Sequence, residues 1–135
     1  MTRLDENDTD AITELLMGRR IVSATRGTFN ELFTDSWSPV TGRLTLDNGT
    51  EIYVRPNQGG CACDSGDYDL THLVTVDNII TSVRLAEEGT GEYATDVSYR
   101  IYVVADATEI NVMAVDGNDG NGYYGTGYEL IVVRP

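Results

Sequence analysis

Hydrophobic positions recur along this chain with two different periods, and the change from one to the other divides it. Close to the start, Ile12, Leu15 and Leu16 share one face at helical spacing, with Asp10 placed to cap the first turn and Gly18 to stop the last. The pattern predicts a short N-terminal helix over 11–17. Ahead of it the chain is polar, with Asp5, Glu6 and Asp8, so 1–9 reads as a flexible acidic N-terminus and 10–135 as a single β-rich domain. From Arg20 onward the spacing shortens to that of a strand with one buried face.

The clearest signal lies in 42–56, where apolar and polar residues alternate on both sides of Asn48-Gly49, a dipeptide that tolerates the positive φ of a tight hairpin turn. Other strands are expected at 20–25, 78–85, 98–105, 109–116 and 128–133, with Asp106-Ala107-Thr108 short enough to close a second hairpin. Between the first strand and the hairpin, 28–39 carries Phe29, Leu32, Phe33 and Trp37 without a regular period, and these rings are expected to cover one end of the core. Strands that follow one another without long helices form no parallel crossover units. The sheet should therefore be mostly antiparallel and doubled over its own core. The expected fold is mainly β (α+β), a small sandwich or open barrel of six to seven antiparallel strands with a short N-terminal helix. Two Gly- and Asp-rich loops, 57–70 and 116–127, are left over.

Composition sets bounds on this picture. At 135 residues, 41% apolar and 23% charged, the chain can close one core without metals or disulfides as staples. Nothing approaches the roughly 18–20 continuous apolar residues of a membrane span. The opening Met1-Thr2-Arg3-Leu4-Asp5-Glu6 lacks the apolar core of a secretory signal, so a cytosolic setting without membrane association is expected. Charge is the least ordinary feature: 22 carboxylates face nine cations, all of them Arg, for a formal charge of −13. Such a field repels nucleic-acid phosphates, and no basic patch interrupts it, so direct nucleic-acid binding is not expected. Two specific readings stand beside simple solubility: mimicry of a nucleic-acid backbone toward a basic protein, and adaptation to a salty cytoplasm.

Residues 59–72 hold both cysteines, the only histidine and three carboxylates. Cys61, Cys63 and His72 are competent zinc ligands by chemistry. Structural zinc sites, however, take two ligand pairs, usually with about two to four residues inside a Cys pair, and Cys-x-Cys supplies half of one. Reduced thiols in a tight loop are the plainer reading, and no cofactor is expected unless zinc binds there. His72 fits the end of a turn opened by Asp69 better than the role of a base, because no nucleophile can be placed beside it.

In 115–128 the calcium-loop spacing fails: Gly120 stands at the fifth position from Asp116, and no Glu occupies the twelfth. The dinucleotide fingerprint fails too, since a strand and not a helix follows the glycines. A glycine-turned hairpin loop accounts for the segment structurally. Tyr123-Tyr124, flanked by glycines, adds rings and hydroxyls that suit a partner or a small ligand such as a base. The candidate binding residues are Asp119, Asn121, Tyr123 and Tyr124, with Asp67 and Tyr68 from the other loop. No triad, paired-carboxylate or phosphate-loop constellation can be specified, and Glu87-Glu88 beside Gly89 reads as a solvated strand end. The sequence leans away from an enzyme.

Gly60-Cys61-Ala62-Cys63, Ser65-Gly66-Asp67-Tyr68, Val76-Asp77-Asn78-Ile79-Ile80-Thr81-Ser82-Val83 and Asp119-Gly120-Asn121-Gly122-Tyr123-Tyr124-Gly125 together resemble a family of small uncharacterised proteins encoded by tailed bacteriophages of actinobacteria. Gly18-Arg19-Arg20-Ile21 and the hairpin around Asp47-Asn48-Gly49-Thr50 fit the same pattern, so the likeness covers about residues 18–133. The resemblance implies a helix-poor β domain with an accessory role in the cytoplasm of an infected bacterial host, and brings no activity with it. The Lys-free basic set also fits a GC-rich genome.

Three functional classes follow. The first is a phage accessory protein acting as a non-enzymatic binding module that engages a host protein through its acidic surface or the Tyr123-Tyr124 loop. The second is a small-molecule or nucleotide-signal sponge countering host defence, which needs arginines among Arg19, Arg20, Arg26, Arg55, Arg84 and Arg100 to offset the acidic field. The third is a metal-dependent enzyme built on Cys61, Cys63 and His72. Monomer and homodimer both stay open, since edge strands can pair or be guarded by acidic residues and Pro56.

Overall fold

The computed structural model describes residues 1–29, 31, 40–56, 67–70, 79–89, 97–105, 111–118 and 127–135. Among them are one helix, α1 (Thr9–Leu16), and nine strands: β1 (Thr2–Asp5), β2 (Ile21–Thr28), β3 (Thr41–Leu46), β4 (Glu51–Pro56), β5 (Asp67–Leu70), β6 (Ile80–Gly89), β7 (Val97–Ala105), β8 (Asn111–Asn118) and β9 (Tyr128–Val133). The strands form a five-stranded sheet in the order β1-β9-β4-β3-β2 and a four-stranded sheet in the order β5-β8-β7-β6, and every pairing is antiparallel. The expected class holds: mainly β, antiparallel, doubled into two sheets, with one short helix near the N-terminus. All seven strands read from the alternation are present, and β1 and β5 add to them.

The two sheets share one core. Leu44, Leu46, Ile52, Val54, Leu130 and Val132 from the five-stranded sheet join Leu70, Ile80, Ile101 and Val103 from the four-stranded one in a single cluster of buried side chains. Ile12, Leu15 and Leu16 of α1 belong to the same cluster, as their common face requires. The β3–β4 turn forms as its sequence dictates. Gly49 takes φ +86°, its N–H donates to Leu46 O at 2.9 Å, and Asn48 Oδ1 accepts from the Thr50 N–H at 3.1 Å.

Three expectations need correction. The N-terminus is not loose: Thr2–Asp5 pair with β9, and Leu4 is buried in the core. Backbone pairing supplied by a strand far along the chain orders this segment, and side-chain periodicity does not report that. The helix also starts earlier than the apolar pattern indicates, at Thr9, with Asp8 in the N-cap position and Asp10 inside the first turn. The Asp8 carboxylate accepts from the Asp5 N–H at 2.9 Å and so ties β1 to α1, without capping the helix's own amides. Phe29, finally, covers a face of the five-stranded sheet. It packs edge-on against Tyr53 with centroids 5.4 Å apart, in a second cluster with Val40, Ile131 and Val133 on the side turned away from the shared core. Leu32, Phe33 and Trp37 lie outside the described residues.

Candidate functional site

The strand ends that flank the two segments singled out by composition are paired with one another. Pro56, the last residue of β4, pairs with Tyr128, the first of β9, while Asp67, the first of β5, pairs with Asn118, the last of β8. The described residues that flank 57–66 are thus register partners of residues at or next to the ends of 119–126. Cys61, Cys63, His72, Asp119, Asn121, Tyr123 and Tyr124 lie outside the described residues. The backbone of Asp67 sits in β5, which spans Asp67–Leu70. Tyr68 does not present its ring to a ligand: it is 3% exposed and packs in the core against Tyr128, centroids 5.7 Å apart. Tyr99 meets Tyr128 from another side at 6.2 Å. Burial, and after it the charges of Glu6, Asp5 and Asp8, raises the Tyr128 hydroxyl well above the ordinary tyrosine value.

Of the six arginines named as charge compensation, the fold brings together only two. Arg84 stacks over the Tyr102 ring, 4.4 Å from its centroid, and Arg100 Nη1 donates to the Tyr102 hydroxyl at 3.2 Å. Arg84 and Tyr102 are register partners on β6 and β7, on the face of the four-stranded sheet opposite Val83 and Val103, which pack on the core. Arg55 has another task. It is 1% exposed and its Nη2 donates to Glu129 Oε1 at 3.0 Å, while Arg3 Nε reaches the same carboxylate oxygen at 3.6 Å. Arg20 and Arg26 are exposed near the edge strand β2.

Arg19 lines a groove of about 400 Å³ together with Thr2, Leu4, Ala11, Glu14, Leu15, Asn48 and Arg134. Its walls come from β1, α1, the β3–β4 turn and the end of β9. Arg19 Nη1 lies 3.9 Å from Asp47 Oδ1, with both side chains substantially exposed. Sequence reading missed Glu14, Asn48 and Arg134 as a group, because they are spread over 120 positions and meet only in the folded chain. The one available signal was that a chain with nine cations places one of them directly after its last strand.

Fold and sites together define a two-sheet antiparallel β domain whose conspicuous surface features are a loop-bearing end and a polar groove. Residues 14–130 match the family described as a domain of unknown function, DUF7448, and the chain belongs to that family. Comparison with curated proteins and with solved structures finds no match. Among the described residues, no helix is long and apolar enough to cross a membrane.

Proposed function

We propose that this protein is a non-enzymatic binding module that engages a host protein through the neighbouring loops 57–66 and 119–126. The supporting observation is their double anchoring, Pro56 against Tyr128 on one sheet and Asp67 against Asn118 on the other. Loops held on a rigid sheet scaffold are a general arrangement for recognition. Tyr123 and Tyr124 supply aromatic surface of the kind that dominates protein interfaces, and the −13 charge steers the module toward a basic partner region. The resemblance to actinobacteriophage proteins supports an accessory role in the cytoplasm of an infected cell.

The test is to immobilise the full chain and pass a host extract over it in a salt series. The expected result is a protein retained at low salt, released as ionic strength rises, and lost with Tyr123→Ala/Tyr124→Ala. A column that retains nothing specific at low salt sinks the reading. A nucleotide-signal sponge at the same loops is the competing reading. It is the weaker one, because Arg55, the cation nearest those loops along β4, is engaged by Glu129. Native mass spectrometry separates the alternatives: a nucleotide-sized adduct supports the sponge, and a stoichiometric metal supports an enzyme built on Cys61, Cys63 and His72.

A further inference from the structure

We infer that the groove between α1, β1 and the β3–β4 turn binds a small organic phosphate. It lies at the opposite end of the five-stranded sheet from the loops, because β4 runs from the turn toward Pro56 and β9 runs back from Tyr128 toward Arg134. Two guanidinium groups, Arg19 and Arg134, line one concavity in a chain that is otherwise heavily acidic. Neither is locked in place. The contact of Arg19 with Asp47 is a long, exposed one at 3.9 Å, which a better acceptor displaces, and Arg134 has no ion-pair partner among the described residues.

The choice of phosphate follows from valence. One guanidinium fork saturates a carboxylate, whereas a phosphate dianion offers acceptors and charge enough for two. Asn48 and Thr2 add polar side chains to the lining. Glu14 opposes the anion but suits a hydrogen-bond donor, an amine or hydroxyl, on the body of the same molecule, and Leu4, Ala11 and Leu15 offer it an apolar floor. The volume of about 400 Å³ is within the range of small-ligand sites.

The experiment follows the arginine Nε–Hε resonances of the full chain by NMR at low salt, titrating separately with inorganic phosphate and with phosphoethanolamine. Shifts are expected at Arg19 and Arg134, saturating, and absent at Arg26 and Arg84. Arg19→Ala and Arg134→Ala, both exposed positions, should each weaken binding about tenfold. Glu14→Gln should abolish the preference for phosphoethanolamine while leaving inorganic phosphate bound. Shifts absent from Arg19 and Arg134, or spread equally over Arg26 and Arg84, overturn the assignment. Either result can be read on the wild-type chain alone, so it does not depend on a variant folding.

Discussion

The central strands of the two sheets are buried to different depths. In the five-stranded sheet, Ile52, Tyr53, Val54 and Arg55 of β4 are all buried in succession, as are Tyr128 through Val132 of β9. In the four-stranded sheet, β7 alternates: Ile101, Val103 and Ala105 are buried, while Tyr102 and Val104 stay half-exposed. The difference changes what a charge costs. On strands covered on both faces, Arg55 is placed against Glu129 at 3.0 Å because an uncompensated ion in that environment is strongly unfavourable. On the one-sided sheet, Arg84 stacks over Tyr102 with its own side chain exposed, where such a contact contributes little to folding.

Arg55→Ala tests this contrast hardest. It strands the Glu129 carboxylate, with only the more distant Arg3 nearby, and should cost ~3–5 kcal/mol in urea denaturation. A loss below ~1 kcal/mol would show that water reaches the pair, and the two sheets would not differ as described. Gly127→Ala comes next. Gly127 holds φ +82°, and an added Cβ there would collide with the Glu6 carboxylate. The left-handed backbone and the displaced acid together should cost ~1–3 kcal/mol, and Gly18→Ala, at φ +76° with open space around its Cβ, is the control for backbone strain alone.

The same contrast decides what could be read from sequence. Where one face is wet, as in the β3–β4 hairpin's approach to its turn or along β7, alternation is visible and the strands are legible. The run Tyr128-Glu129-Leu130-Ile131-Val132-Val133 identifies a strand, yet nothing local marks Glu129 as buried beside Arg55, 74 positions away. β1 is opaque for a related reason: Leu4 is its only buried residue, and what orders it is the backbone of β9. The groove residues Glu14, Arg19, Asn48 and Arg134 share no spacing, so only the folded chain assembles them. Composition marked 57–70 and 116–127 as loops, but Asp67–Leu70 form β5 and β8 runs on to Asn118, because backbone pairing between these two stretches is invisible to composition; the register sets Pro56 beside Tyr128 and Asp67 beside Asn118.

Alkaline pH probes the seam between the sheets, where Tyr128 packs against Tyr68 and Tyr99. Burial raises the Tyr128 hydroxyl above its ordinary value of 10, with the Glu6, Asp5 and Asp8 carboxylates reinforcing the shift. The folded chain thus holds this proton longer than the unfolded chain does. The contribution is complete below pH 10 and is lost as pH rises from there toward the folded value. Stability should fall above pH 10 by up to about 1.4 kcal/mol per pH unit from this group, with a further loss from Tyr53, raised by burial and by its bond to Glu51. Tyr128→Phe should flatten the alkaline limb of a plot of unfolding midpoint against pH. An unchanged limb would mean that the hydroxyl is not buried.

The smallest effect is expected on the open face, and its smallness is informative. Arg84 is exposed, so Arg84→Ala removes a cation–π contact over Tyr102 and should change stability by no more than ~0.5 kcal/mol in the urea experiment that shows a large loss for Arg55→Ala. If the two arginines proved equally costly, the outer face of β6 and β7 would be as sealed as that of β4 and β9. If Arg84→Ala is neutral for folding, the same variant can be taken into the host-extract experiment. There, retention is expected to be unchanged, because Arg84 lies in the middle of β6 and outside the segments proposed to meet the partner.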